Sequence, residues 1–136
     1  MTDCGVLIGC ADGYVRKFQL QAMNDDGTNF DSYVWFGPID MGGPRLHGTL
    51  HELLFTAAQK SGYVDWSVYA NHSAEWALSD VAARTGTCMI DGRNMTFRPR
   101  CKQNQAWIVL SNGEDGIAWA MERLAIIHDR GGMERL

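Results

Sequence analysis

The sequence predicts a mainly β protein: an antiparallel β-sandwich of jelly-roll-like kind, with an N-terminal β-hairpin and one short α-helix. Three observations carry that expectation. Apolar and β-branched runs of strand length recur at short intervals along the chain. Glycine is abundant and proline scarce, 15 residues against 3, which suits many tight turns between strands. One stretch alone combines a helix-start signal with helix-forming residues.

The first element is Val6-Leu7-Ile8-Gly9-Cys10-Ala11-Asp12-Gly13-Tyr14-Val15-Arg16-Lys17-Phe18, two apolar-rich runs around an Asp-Gly pair. Asp-Gly between such runs is the strongest short-range hairpin signal. The stretch reads like one edge of a propeller blade, yet the sequence holds no second copy of it. A lone hairpin is marginal in water and must add to a sheet, its own or a neighbour's. The polar cluster Asn24-Asp25-Asp26-Gly27-Thr28-Asn29 then turns the chain into Ser32-Tyr33-Val34-Trp35-Phe36, a strand closed by Gly37-Pro38. Met41-Gly42-Gly43-Pro44 is the best hinge between subregions.

From Leu46 to Gln59 the chain reads as one long strand, with Leu50 and Leu54 on one side and Leu53 and Phe55 on the other. Both sides need cover, so the strand belongs in a central position or under a subunit contact. Tyr63 to Tyr69 alternates cleanly and turns Val64, Trp66 and Val68 inward. Ser73 to Arg84 is the helix, with Ser73 as N-cap and Glu75 in the first turn. Strands resume at Gly86, and Met95 to Cys101 alternates after the Asp91-Gly92-Arg93-Asn94 turn. Ala106 to Ser111 is a buried strand, followed by a turn over Asn112 to Gly116. Ile117 to Ile127 is the last strand. Its apolar parity switches near Glu122-Arg123, which predicts a β-bulge there. The resulting organisation is a hairpin and extended strand over 1–40, a sandwich core over 45–128 and a flexible tail over 129–136, within one structural domain.

Length and composition bound the function. The 136 residues suffice for one domain with a real core, and 46% hydrophobic with 21% charged residues excludes disordered, collagen-like and coiled-coil classes. No apolar run approaches the roughly 18 residues of a membrane-spanning helix, so no membrane partner is expected. Met1-Thr2-Asp3-Cys4 has neither the basic region nor the apolar core of a signal peptide, which predicts folding in a cytoplasm. The net charge of −4 argues against nucleic acid as a partner. Cys4, Cys10, Cys88 and Cys101 form no C-x-x-C pair and read as free, mostly buried thiols.

Four features could carry chemistry. His47 and His51 form an H-x-x-x-H pair, but Gly48 occupies the position where the zinc-protease motif needs Glu, and no third ligand is evident; exposed or interface histidines are favoured. Asn24 to Thr28 resembles half of a calcium loop, interrupted by Phe30 and Tyr33, and reads as a plain turn. Thr96, Arg98, Arg100 and Lys102 alternate with Phe97 and Cys101, which gives a strand face with three cations, suited to carboxylates across an interface. The competing reading is a solvated outer face. Of the five Trp residues, Trp66, Trp107 and Trp119 sit in apolar alternation and read as core, whereas Trp35 and Trp76 are open to interface or sugar-stacking roles. No G-x-S-x-G, P-loop or G-x-G-x-x-G is present, and the expectation is a non-enzyme without cofactor, metal or catalytic residues.

Five stretches carry a resemblance: Gly9 to Phe18, Asn24 to Ile39, Ser61 to Ala70, Gly92 to Arg100 and Ala106 to Leu124. Their order resembles the C-terminal β-rich region of tailed-bacteriophage virion structural proteins, of the tail-tube or nozzle type found in short-tailed phages. The resemblance implies a non-enzymatic subunit of the tail, neck or capsid-bound assembly, built into the virion in the host bacterial cytoplasm, with copies of itself and other virion proteins as partners. It supplies no catalytic residue. The chain lacks the propellers or additional β domains that precede this region in the larger proteins. Asp12, Gly13, Tyr14, Arg16 and Lys17 of the hairpin, with Trp35, Arg98, Arg100 and Lys102, are the interface residues this reading selects. The alternatives are a capsid decoration protein or a small host-recognition module that binds carbohydrate through Trp35, Trp76 or nearby Tyr residues.

Overall fold

A computed structural model describes residues 6–17, 27–28, 31–43, 46–89, 94–113 and 117–133. The expected turn at Asn24 to Asp26, Cys4, the Met1–Cys4 leader reading and the Asp91 to Arg93 turn lie outside them. The strands are β1 (Leu7–Gly9), β2 (Val15–Lys17), β3 (Ser32–Asp40), β4 (Leu46–Ala57) and β5 (Val64–Asn71); after helix α1 (Ala74–Ser79) come β6 (Arg84–Cys88), β7 (Asn94–Phe97), β8 (Cys101–Gln103), β9 (Gln105–Asn112) and β10 (Met121–Met133). All strand pairings are antiparallel.

Two four-stranded sheets enclose the core. One runs β3-β9-β5-β6; in the other, β4 lies between β10 on one side and β7 and β8 on the other. Alternation along each strand gives each sheet one apolar face. Val64, Trp66 and Val68 of β5 and Ile108 and Leu110 of β9 meet Leu50, Leu53 and Phe55 of β4 in a single buried cluster. Trp66 and Phe97 close the gap between sheets, their ring centroids 5.1 Å apart. This is the expected antiparallel sandwich, with the expected inward trio on β5 and a central β4.

The faces of β4 differ from the alternation read in the sequence. Leu50, Leu53 and Phe55 all point into the core, and Leu54 is half-buried on the other side. The cause is a bulge: Ile127 pairs with Glu52 and His128 with Leu50, which leaves His51 as an extra residue on β4. A bulge resets side-chain parity, so an odd spacing of leucines can serve one core face. The bulge expected in the last strand is present too. Met121 pairs with Ala57 and Arg123 with Thr56, with Glu122 between them, so Met121, Leu124 and Ile126 all pack on the core.

Three boundaries are corrected. The helix stops at Ser79, well short of Arg84; Ser73 caps it as expected, its hydroxyl accepting the Trp76 N–H at 3.3 Å. The last strand begins at Met121 rather than Ile117 and continues through the segment read as a flexible tail, with Asp129 paired to Thr49 and Met133 to Leu46. The Met41–Gly43 hinge is an anchored crossover between the two sheets. Met41 is fully buried and donates its N–H to the Asn104 carbonyl, and Asn104 Nδ2 donates to the carbonyls of Gly43 and Leu46, both at 3.1 Å. A boundary near residue 40 therefore does not separate two structural units: β3 is an edge strand of the sandwich, and Val34, Phe36 and Ile39 pack on its core.

Candidate functional site

The residues selected from the sequence fall in three separate places. The first is the hairpin. Gly13 N–H donates to the Cys10 carbonyl at 3.1 Å, Cys10 N–H donates to the Tyr14 carbonyl at 2.9 Å, and Gly13 adopts φ +88°, a conformation that favours glycine. Asp12 organises the loop: one carboxylate oxygen accepts the Tyr14 N–H at 3.1 Å and the other meets Arg16 Nη2 at 2.8 Å. The Arg16 guanidinium beside it, and then the Tyr14 N–H, hold the Asp12 carboxyl below the usual carboxylate range. Arg16 also lies over the Tyr14 ring, 5.8 Å from its centroid.

Among the described residues this hairpin is a two-stranded sheet by itself, and neither β1 nor β2 pairs with either sheet of the sandwich. Its register, with Leu7 opposite Lys17 and Gly9 opposite Val15, puts Leu7 and Val15 on one face as diagonal neighbours. They are 66% and 69% exposed, and Val6, Ile8 and Tyr14 are exposed beside them. Alternation puts Leu7 and Val15 on one face and Val6, Ile8 and Tyr14 on the other, so this short ribbon shows apolar side chains to solvent on both faces, an exposure of the sort that marks an interaction surface.

The second place is the outer face of the sheet centred on β4. Burial alternates through Thr96, Phe97, Arg98, Pro99, Arg100, Cys101 and Lys102 as expected, with the cations outward. They do not share one strand, however. Pro99 has no N–H to give to a ladder and Arg100 adopts φ +50°, so pairing with β4 breaks between β7 and β8. Arg98 Nε bonds Glu52 Oε1 at 3.0 Å. His51, aimed outward by the bulge, bonds Asp129 through Nε2 at 2.9 Å, and that bond, more than any other influence, keeps the Asp129 carboxyl below its usual range. The face mixes both signs of charge, with Arg98 paired to Glu52 and Asp129 to His51. His47 and His51 sit on this strand with Asp129 as the one carboxylate paired to His51, and no group of three metal-ligating side chains occurs among the described residues.

The third place is the outer face of the β3-β9-β5-β6 sheet, which holds Trp35. Its ring stacks on Tyr69 at 5.3 Å and meets the edge of Trp107 at 6.1 Å. Trp107, read as core from its apolar neighbours, instead lies between this outer face and α1, where its Nε1 donates to the Ala74 carbonyl at 3.1 Å. Trp66 is buried and Trp119 packs on the core, as expected. Trp76 is exposed on α1 beside His72. Tyr33, one of the tyrosines near Trp35 but not among the interface residues selected by number, is 65% exposed two residues before Trp35 on the same face. The signal was available in the aromatic-x-aromatic alternation of Tyr33-Val34-Trp35.

Among the described cysteines, Cys10, Cys88 and Cys101 are free thiols and the last two are buried; burial pushes the Cys101 thiol up. The described residues include no helix long and apolar enough to cross a membrane. No protein-family model, curated protein or solved structure matches the chain.

Proposed function

We propose that this chain is a non-enzymatic structural subunit of a tailed-bacteriophage virion, joining copies of itself and other virion proteins in a tail, neck or capsid-bound layer assembled in the bacterial cytoplasm. One observation carries the assembly part of this reading: the hairpin β1–β2 stands outside both sheets and presents Val6, Leu7, Ile8, Tyr14 and Val15 to solvent. A lone two-stranded ribbon buries too little to be stable in water, and docking into a neighbour's sheet covers its edges together with the apolar side chains on its faces. The Asp12–Arg16 pair and the Gly13 turn fix the register in which the ribbon is offered. The resemblance of the motif order to virion proteins supplies the phage context.

The basic residues Arg98, Arg100 and Lys102 are a weaker element of the interface. Arg98 already has Glu52 as partner, so recruiting it across a contact replaces one carboxylate by another. The test is sedimentation velocity of the full chain over a hundredfold concentration range. The reading expects a concentration-dependent oligomer; a persistent monomer that also fails to bind virion partners overturns it.

A further inference from the structure

The outer face of the β3-β9-β5-β6 sheet carries a patch that the assembly reading leaves unused. Strand register sets its membership. Tyr33 lies opposite Ser111, Ser111 opposite Asp65, and Asp65 opposite Thr87, forming one row across four strands. Trp35, Val109, Ser67 and Thr85 form the next row. In the first row Thr87 Oγ1 donates to Asp65 Oδ1 at 2.6 Å. Asp31, just ahead of β3, folds over the end of β9, so close that a Cβ on Gly113 would lie 2.3 Å from its Oδ1. Between these residues runs an open groove of about 390 Å3, lined by Asp31, Tyr33, Trp35, Val109, Ser111 and Gly113.

The rings here are preorganised. Trp35 is held between Tyr69 and Trp107, and Trp107 is fixed by its bond to the Ala74 carbonyl. Tyr33 stands about 7 Å from it along the strand, the spacing of alternate residues on one face. A ligand for this patch needs a flat apolar surface for the rings and hydroxyl donors for carboxylates and serine at their rim. A pyranose has both: a face of C–H groups and a perimeter of hydroxyls. Charge narrows the choice further. No Lys, Arg or His occupies an outward position on the four strands, whereas Asp31 flanks the groove and Asp65 lies in the same row as Tyr33 and Ser111. A phosphate or nucleic acid would meet carboxylates with no counter-charge. An apolar peptide would strip water from Asp31 and Ser111 without replacing its hydrogen bonds.

We propose that this face binds a neutral saccharide, with Tyr33 and Trp35 as the stacking platform and Asp31, Ser111 and Asp65 accepting hydrogen bonds from its hydroxyls. This inference does not rest on assembly through the hairpin, which lies outside this sheet.

The test titrates the full chain by calorimetry, and on an array, with α- and β-linked glucan, galactan and mannan oligosaccharides and with neutral bacterial O-polysaccharides. Heparin and single-stranded DNA are the polyanion probes. At least one neutral glycan binds and neither polyanion does. Tyr33→Ala changes an exposed side chain and leaves thermal unfolding unchanged, yet it weakens binding by about tenfold or more, equivalent to about 1.4 kcal/mol. Asp31→Asn also weakens binding, and Lys17→Ala in the hairpin does not. If Trp35→Ala loosens the fold through its Tyr69 and Trp107 contacts, Tyr33→Ala and Asp31→Asn carry the test. The proposal is overturned if no neutral glycan binds, if binding survives both of these variants, or if the face takes a polyanion or a protein instead.

Discussion

Replacing Leu7 and Val15 together by serine tests the assembly reading most directly. Full burial of a Val or Leu side chain is worth about 1.5–3 kcal/mol. These two are 66% and 69% exposed, so roughly two thirds of that is available to a partner, about 1–2 kcal/mol each. The double variant then forfeits about 2–4 kcal/mol of association, a rise in Kd of about thirtyfold to several hundredfold. Association must also overcome an estimated 4–15 kcal/mol of lost translational and rotational freedom, which leaves little surplus to absorb such a loss. The fold is indifferent to the change, because both side chains are solvated in the monomer; exposed substitutions shift stability by about 0.5 kcal/mol or less. Sedimentation velocity of parent and variant, with calorimetric Tm values for both, separates the two effects. The expected result is a shift toward monomer at unchanged Tm. Equal assembly by parent and variant refutes the hairpin as the contact, and a fall in Tm shows that the hairpin's apolar face is covered within its own chain.

Three further outcomes follow from the geometry. Arg16→Ala raises the Asp12 carboxyl back toward the ordinary carboxylate range in an NMR titration, since the guanidinium is the main cause of its lowering. Because the folded-state value is depressed, the stabilisation of the loop is present above the ordinary carboxylate pKa and disappears as pH falls through the folded value; amide exchange at Tyr14 in acid reads that loss, and an unchanged Asp12 titration contradicts it. Gly37→Ala places a Cβ 2.8 Å from Trp107 Cε3 at a backbone φ of +147°, and thermal unfolding is expected to show about 1–3 kcal/mol of destabilisation. Asn104→Ala removes both side-chain bonds that tie down the crossover at Gly43 and Leu46, with an expected loss of about 2–4 kcal/mol in urea unfolding; a loss under about 0.5 kcal/mol means that the crossover is held by other contacts.

Strand identity was legible wherever alternation was local. Val64, Trp66 and Val68, the hairpin around Asp12-Gly13 and the Ser73 cap all declare themselves within a few residues. The sheets join strands far apart in the chain: β9 inserts between β3 and β5, and β10 returns to pair with β4. No short-range pattern encodes such pairings. The bulge at His51 illustrates the limit, since its extra residue can be counted only against β10. The bulge near Glu122 was readable because apolar parity changed on that strand itself. Trp107 misled for a related reason: alternation places it on a face, but burial of that face depends on α1 covering it. The groove beside Trp35 needed β9 for its floor, so the sequence offered its aromatic wall and not its shape.

The three surfaces differ in what they still require from a partner. On the β4 sheet, Glu52 answers Arg98 and Asp129 answers His51, so a new contact that recruits Arg98 or His51 replaces an existing pair and gains little. On the β3 sheet, the aromatic platform is rigid and the carboxylates stand without basic neighbours on its outward positions, which suits a small polar ligand. The hairpin alone combines apolar exposure with strand edges that neither sheet of the sandwich covers. Exposed apolar area and a strand edge both draw a macromolecular partner, and a strand-bearing neighbour satisfies both at once. The division follows from where each sequence feature landed: the Asp-Gly turn offers the ribbon, the Tyr33–Trp35 alternation builds the platform, and the basic alternation ends as an outer face in which Arg98 is already paired. Assembly and saccharide binding therefore respond to different substitutions, Leu7 and Val15 for one, Tyr33 and Asp31 for the other, and neither pair disturbs the core that holds the two sheets together.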